Sequence, residues 1–267
     1  MTKQLLIYSN VVPLNRETHR NMSVRQTTSF EFARETNSVP IVDVEFLKTA
    51  MEMPIVFAKT ATGTVCVALL GTEQNSNAFV GEGGSWTGKY VPAFLRRYPF
   101  VFAVQEDNDR MTLCIDESYE GLNSDDIGER MFDGEGTEST YTKQVLRFVE
   151  EYQATFTRTQ AFCDRLEAAD LLEEARIDYT ITGGQTGGVT GFQRVSVEKL
   201  RALTDEQIVT LFRAGDLDLI QLHLMSMQQI EPLVAKVVNS AAAGGVEEAE
   251  TVEDADDVSE VAEMGLH

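Results

Sequence analysis

The chain has 267 residues, 43% of them hydrophobic and 24% charged, a mix that predicts a globular protein with a core large enough to hold without disulfides or metal. Its 22 Lys+Arg against 43 Asp+Glu leave a net charge of -21, which argues against nucleic acid as a partner, because phosphate binding depends on clustered cations. The cysteines Cys66, Cys114 and Cys163 form no CxxC pair and are odd in number, so they predict reduced core thiols and neither a disulfide framework nor a zinc site.

The N-terminal run is short, broken by Ser9 and Asn10, and unlike a signal peptide; no segment has the apolar length of a membrane span. The expectation is therefore a cytoplasmic protein without a transmembrane segment, with surface association open only through a signal-independent export route. From Val42 to Met51 the spacing of Val44, Leu47, Lys48 and Met51 predicts a helix that Pro54 closes. Two apolar, β-branched runs follow, Ile55 to Lys59 and Thr64 to Leu70, joined by Thr60-Ala61-Thr62-Gly63 in the manner of a hairpin. Phe100 to Gln105 and Met111 to Asp116 repeat that pattern.

Between these hairpins, Gly83 to Lys89 fits GxxxxGK, but Tyr90 replaces the hydroxyl that would bind Mg²⁺, and Pro92 interrupts the helix a phosphate loop requires. No cofactor is expected there or elsewhere. Ser85 to Val104 is the informative segment: six aromatics and the cations Lys89, Arg96 and Arg97, with no acid, inside a strongly acidic chain. Pro92 is expected to open a short helix and Pro99 to end it after Tyr98, with Phe94 buried. The aromatics have an ordinary role as core and the arginines as partners of the chain's own carboxylates. Their functional role would be a guanidinium pair beside aromatic surface, with Trp86, Tyr90, Arg96, Arg97 and Tyr98 as the ligand-binding patch for a carboxylate, phosphate or peptide terminus. Met1 to Phe30 also carries a cationic surplus, through Lys3, Arg16, Arg20 and Arg25 against Glu17. If the two segments meet, they form a basic concavity suited to an acidic peptide.

After residue 137 the period becomes helical. Val145, Phe148, Val149, Tyr152, Phe156, Phe162, Leu166 and Leu171 mark a long amphipathic stretch that Ser139 or Thr140 would cap. A Gly-rich break over Ile181 to Gly188 has β-type residues on both sides. Helices resume at Val197 to Leu203, at Asp205 to Ala214 behind a Thr204–Gln207 capping box, and at Leu217 to Asn239. His223 and Ser226 share a face of the last, but their apolar neighbours and the lack of an orienting third group predict packing rather than catalysis. Three histidines are too few for most metal sites, and no metal is expected.

These elements predict an α+β fold, an antiparallel sheet built from hairpins in the N-terminal half and packed with a helical C-terminal half. One domain would occupy 1–240, strand-rich over 1–120 and mainly helical over 137–240. Residues 241–267 would form an acidic, disordered tail: nine carboxylates lie between Glu247 and Glu263, with no Lys, Arg or aromatic.

The chain resembles the SapC family, bacterial proteins named after a gene of a surface-layer locus and distinct from the peptide-transport permease of the same name. The likeness is carried by Val12-Pro13-Leu14-Asn15 with His19, Val39-Pro40-Ile41 with Glu45-Phe46, Pro54-Ile55-Val56-Phe57, and Ala68-Leu69-Leu70-Gly71. Its longest block runs from Trp86-Thr87-Gly88-Lys89-Tyr90-Val91-Pro92 to Phe100. Further matches are Leu113-Cys114-Ile115-Asp116, Phe132-Asp133-Gly134, Gly191-Phe192, Lys199-Leu200 and Leu222-His223-Leu224-Met225-Ser226. The acidic tail, and Met131 and Glu135 around Phe132-Asp133-Gly134, depart from the family pattern.

The resemblance implies an accessory role in surface-layer or envelope biology and defines no biochemical activity. A non-enzymic protein that binds a protein or peptide partner is the leading expectation. An enzyme acting on a peptide or modified amino acid is the alternative, with His19, Glu45 and Asp133 as its only acid or base candidates. A structural component of a surface or virion assembly is the third. Oligomeric state is not encoded in any pattern seen.

Overall fold

The computed structural model describes residues 7–104, 111–180 and 186–249. The chain opens with β1 (Val11–Pro13), the single turn α1 (Arg16–His19), β2 (Ser23–Val24) and β3 (Ser38–Pro40). A 3-10 turn at Asp43–Glu45 runs into α2 (Phe46–Thr49), and the hairpin of β4 (Ile55–Thr60) and β5 (Gly63–Leu69) follows. Next come α3 (Ala93–Arg96), β6 (Phe100–Val104), β7 (Met111–Asp116), β8 (Leu122–Asn123) and β9 (Glu129–Arg130). The long helix α4 (Thr140–Ala168) leads to β10 (Leu172–Thr180) and β11 (Thr186–Val195). Helices α5 (Val197–Arg201), α6 (Asp205–Ala214), α7 (Asp216–Ser226) and α8 (Ile230–Ala249) complete the described chain.

The architecture is α+β. A five-stranded antiparallel sheet has the order β10-β11-β4-β5-β3, a three-stranded sheet the order β1-β7-β6, and a small sheet the order β8-β2-β9. The first hairpin pairs Ile55 with Ala68 through to Thr60 with Gly63, and the second pairs Phe100 with Ile115 through to Val104 with Met111. The connection of the second, 105–110, lies outside the described residues, as do 181–185 of the Gly-rich break.

Helix α4 ties the sheets together. Its N-cap Ser139 accepts from the Thr142 amide at 3.2 Å, and 29 residues carry it across both hydrophobic clusters. Its Phe162, Cys163 and Leu166 belong to the larger core with Phe46, Phe57 and Phe79, whereas its Val149 belongs to a second core with Phe100, Leu113, Ile115 and Met131. Each fully buried aromatic contributes roughly 2 to 3 kcal/mol of hydrophobic stabilisation, so loss of register along α4 would expose both cores together.

The structure corrects several element boundaries. The mainly helical C-terminal half holds one hairpin, at the Gly-rich break: β10 and β11, of nine and ten residues, extend the β4–β5 hairpin into the main sheet, with Phe192 and Val195 in the core and Arg194 exposed. The 42–51 helix splits into a 3-10 turn and one α turn, and its buried face is Glu45, Phe46, Thr49 and Ala50. Pro92 is the N-cap of α3 rather than its first residue, and the helix ends at Arg96, before Tyr98. Phe94 is fully buried. The expected 217–239 helix divides into α7 and α8 about a 3-10 turn at Met227–Gln229, and α8 runs past Asn239 to Ala249, so the acidic segment begins on a helix; its remainder, 250–267, lies outside the described residues, as does Lys3.

Candidate functional site

The Trp86–Tyr98 segment crosses one face of the molecule, and Glu45 anchors it. The Glu45 side chain is 2% exposed; Oε1 accepts from the Tyr90 hydroxyl and the Ala93 amide, both at 2.6 Å, and Oε2 accepts from the Val42 amide at 3.1 Å. Three donors satisfy a buried carboxylate that would otherwise be costly, and they lock α3 onto the start of α2. Burial, reinforced by the hydrogen bond to Glu45, pushes the Tyr90 phenol well above its ordinary value, so it stays a donor. Gly88 is required beneath this joint: a Cβ there would lie 2.8 Å from Trp86 Nε1 and 2.9 Å from Glu52 Oε2.

The two arginines separate at this point. Arg96 is exposed; its Nε donates to the Val91 carbonyl at 3.0 Å, and its guanidinium carbon lies 5.9 Å from the Tyr90 ring centre and 5.4 Å from that of Phe148. Arg97 is 3% exposed and sits among rings, 4.4 Å from Phe94, 4.8 Å from Tyr152 and 5.9 Å from Tyr8. Its Nε and Nη2 have no hydrogen-bond acceptor among the described residues. Neither arginine has a carboxylate partner among the described residues, which removes the ordinary role expected for them. For Arg97 the quadrupoles of the surrounding rings take the place of an anion.

Trp86 is half-buried, stacked on Phe79 at 5.4 Å and donating Nε1–H to the Tyr90 carbonyl at 2.9 Å, so its main role here is packing. Tyr98 stacks on Phe32 at 4.1 Å and borders two clefts. Burial, with the nearby Asp116 charge adding to it, pushes the Tyr98 phenol up to about 12. Burial would raise Asp116 itself, but donation from Ser118 and from the Ser9 and Asn10 amides outweighs it and holds the carboxyl below its ordinary value.

Arg96 stands between two clefts. One, of about 470 Å³, lies between α3, α4 and the Gln26–Phe30 segment; Arg96, Arg97, Tyr98, Tyr141, Gln144 and Phe148 are among its lining residues, and none of the described residues that line it is acidic. The two cationic segments of the sequence do meet here, yet only the arginines of the second line the cleft. The other, of about 550 Å³, lies between α2 and α4 and is lined by Lys48, Tyr90 and Arg96 along with Glu45, Glu151 and Arg158.

His19, Glu45 and Asp133 share no hydrogen-bond partner. His19 is 1% exposed: its Nδ1 accepts from the Asn15 amide at 3.0 Å, and Nε2 lies 3.2 Å from Glu117 Oε1. Asp133 is exposed and accepts from the Glu135 and Thr137 amides of its own turn, at 3.0 and 2.8 Å. His223 and Ser226 are buried and used structurally against β4 and β11. Among the described residues no three of His, Cys, Asp or Glu gather as metal ligands, and no helix is long and apolar enough to cross a membrane. Lys48 and Phe148 are site residues that sequence reasoning placed only within helical periodicities; Tyr8 and Phe32 gave no signal, since isolated aromatics near the N-terminus have no pattern to mark them.

The chain matches no curated protein and no solved structure. The profile of the SapC family matches residues 14–233, a span that contains Glu45, Tyr90, both arginines and all of α4, and on that coverage the chain belongs to the SapC family.

Proposed function

We propose that this SapC-family chain is a non-enzymic accessory protein that binds an acidic segment of a protein partner in the cleft beside Arg96 and Tyr98, with Trp86, Tyr90 and the buried Arg97 of the same aromatic and arginine patch holding that cleft in shape. The observation that carries the reading is the cleft beside Arg96: among the described residues its only charged lining groups are two arginines without carboxylate partners, on a chain of net charge -21. A planar guanidinium at the rim offers a carboxylate a two-point contact, and Tyr98, Tyr141 and Phe148 supply apolar wall beside it. The acidic remainder of the surface repels nucleic acid and anionic membranes, which favours a short acidic peptide over an extended polyanion. A setting in surface-layer or envelope biology follows the family's name; cell fractionation that finds the chain with the surface layer would support it.

The test is fluorescence anisotropy of a labelled peptide rich in Glu and aromatic residues, against its Gln counterpart. The acidic peptide should bind, and Arg96→Glu should abolish binding without changing the fold by circular dichroism. Equal binding of the two peptides, or binding indifferent to Arg96→Glu, would refute the reading.

A further inference from the structure

Helix α2 and the turns flanking it present apolar side chains to water. Val44, Leu47 and Met51 are 67%, 62% and 71% exposed, and their spacing places them on one side of the element. Cations border them. Lys48 Nζ lies 5.6 Å from the Tyr90 ring centre, Arg96 approaches the same ring, and Lys89 is exposed on the adjoining segment. None of the three cationic groups has a carboxylate partner among the described residues. The neighbouring acids are already engaged: Glu45 by three donors, Asp43 by Arg158 in a two-bond pair, and Glu52 by the Lys89 amide at 2.7 Å. The face is therefore apolar and cationic on an otherwise acidic protein, and it sits on the Lys48 side of Arg96, away from Tyr98.

We infer that this face is the docking surface of the chain's own acidic C-terminal segment, residues 250–267. That segment carries seven carboxylates, from Glu250 to Glu263, interleaved with Val252, Val258, Val261, Met264 and Leu266, and no Lys or Arg. It thus supplies both what the cations lack and what the exposed apolar side chains would bury.

Reach permits the contact. Lys236 of α8 holds its Nζ 5.0 Å from the Phe79 ring centre, and Phe79 borders the Gly88–Glu52 junction next to Met51, so α8 runs past the edge of the face. From Lys236 the helix covers about 20 Å to Ala249 at its rise per residue. Eighteen further residues extend up to about 60 Å, enough to return along that whole length. A second copy's segment would meet the same surface, but tethering gives the chain's own segment an effective concentration in the millimolar range. The inference concerns the face beside α2 and does not depend on peptide binding in the cleft beside Tyr98.

Zero-length carbodiimide coupling of the full chain at low salt, mapped by mass spectrometry on a mixture of ¹⁵N-labelled and unlabelled protein, tests it. The expected products join Lys48 or Lys89 to Glu253, Asp254, Asp256 or Asp257 within one copy. Their yield should fall about tenfold in the full-length double variant Leu47→Glu, Met51→Glu, whose altered side chains are exposed and leave the core intact. Amide exchange over 46–51 provides a second readout and should quicken when Asp254, Asp256 and Asp257 are changed to Asn. Coupling of these lysines only to other acids, mixed-isotope pairs making up about half of the coupled product of an equal mixture, as coupling between copies gives, or no coupling together with unchanged exchange would each overturn the inference.

Discussion

His223 Nδ1 donates to the Ile55 carbonyl across 2.7 Å, while its Nε2 accepts from the Val195 amide at 3.1 Å, so one neutral imidazole pins α7 to two adjacent strands of the main sheet. Ser226 completes the joint by accepting from the Ile55 amide at 2.9 Å. Burial pushes the His223 pKa down to about 4, although the bond to Ile55 opposes the shift. The folded state therefore resists protonation that the unfolded chain accepts near pH 6.5. The stabilisation is complete above that value and is lost as the pH falls from about 6.5 to about 4, amounting to roughly 3 kcal/mol. Denaturant midpoints taken across that window should fall in wild type, and His223→Gln should flatten the fall; an unchanged slope would contradict the assignment.

Phe94 is fully buried in the main core and forms one wall of the Arg97 slot. Truncating it removes a ring from a packed site and opens a cavity at the joint between α3 and Glu45. Phe94→Ala should cost about 3 to 5 kcal/mol in chemical denaturation. A loss below about 1 kcal/mol would show that the site collapses freely around the gap.

The elements whose signal is local were legible in the sequence. The Thr204–Gln207 capping box and the Ser139 cap both stand where short-range hydrogen bonding puts them. The face of α2 was harder, because burial there is decided by tertiary contacts: Glu45 is drawn inside by three donors, two of them from the distant Tyr90–Ala93 stretch, while the apolar Val44, Leu47 and Met51 remain outside. No periodicity can announce a buried glutamate. The ligand-binding patch was legible as composition but not as geometry, since adjacent arginines on one helical turn take opposite environments and only the fold decides which is covered.

Arg165 and Asp216 form a two-bond pair of 2.6 and 2.7 Å that fastens α4 to the first turn of α7. The carboxylate is 1% exposed while the arginine is partly open, so removing the cation strands a buried anion. Arg165→Met should cost about 3 to 5 kcal/mol, and the double variant with Asp216→Leu should recover part of that loss. A double-mutant cycle in urea measures both; full additivity would mean that the pair contributes nothing beyond its separate side chains.

Arg96 and Arg97 should divide binding from stability between them. Arg96 holds its side chain at the cleft rim with a bond to the Val91 carbonyl, a longer one to the Tyr90 hydroxyl at 3.5 Å and two ring contacts, all at an exposed site, so Arg96→Ala should change stability by no more than about 1 kcal/mol. Arg96→Lys keeps the charge and loses the planar fork, and it should weaken capture of an acidic peptide by about tenfold while melting normally. Arg97 is enclosed by Tyr8, Phe94 and Tyr152 with two donors lacking acceptors, so its side chain fills volume as much as it carries charge. Arg97→Ala should cost about 3 to 5 kcal/mol through the void it leaves. Arg97→Met refills the slot without a buried cation and should lie within about 1 kcal/mol of wild type. Melting curves and peptide anisotropy on all four variants decide the matter. If Arg97→Met melts normally but loses the peptide, the buried arginine contacts the ligand and the division of roles fails. If Arg96→Lys binds as well as wild type, a point charge suffices and the planar contact is not what the cleft uses.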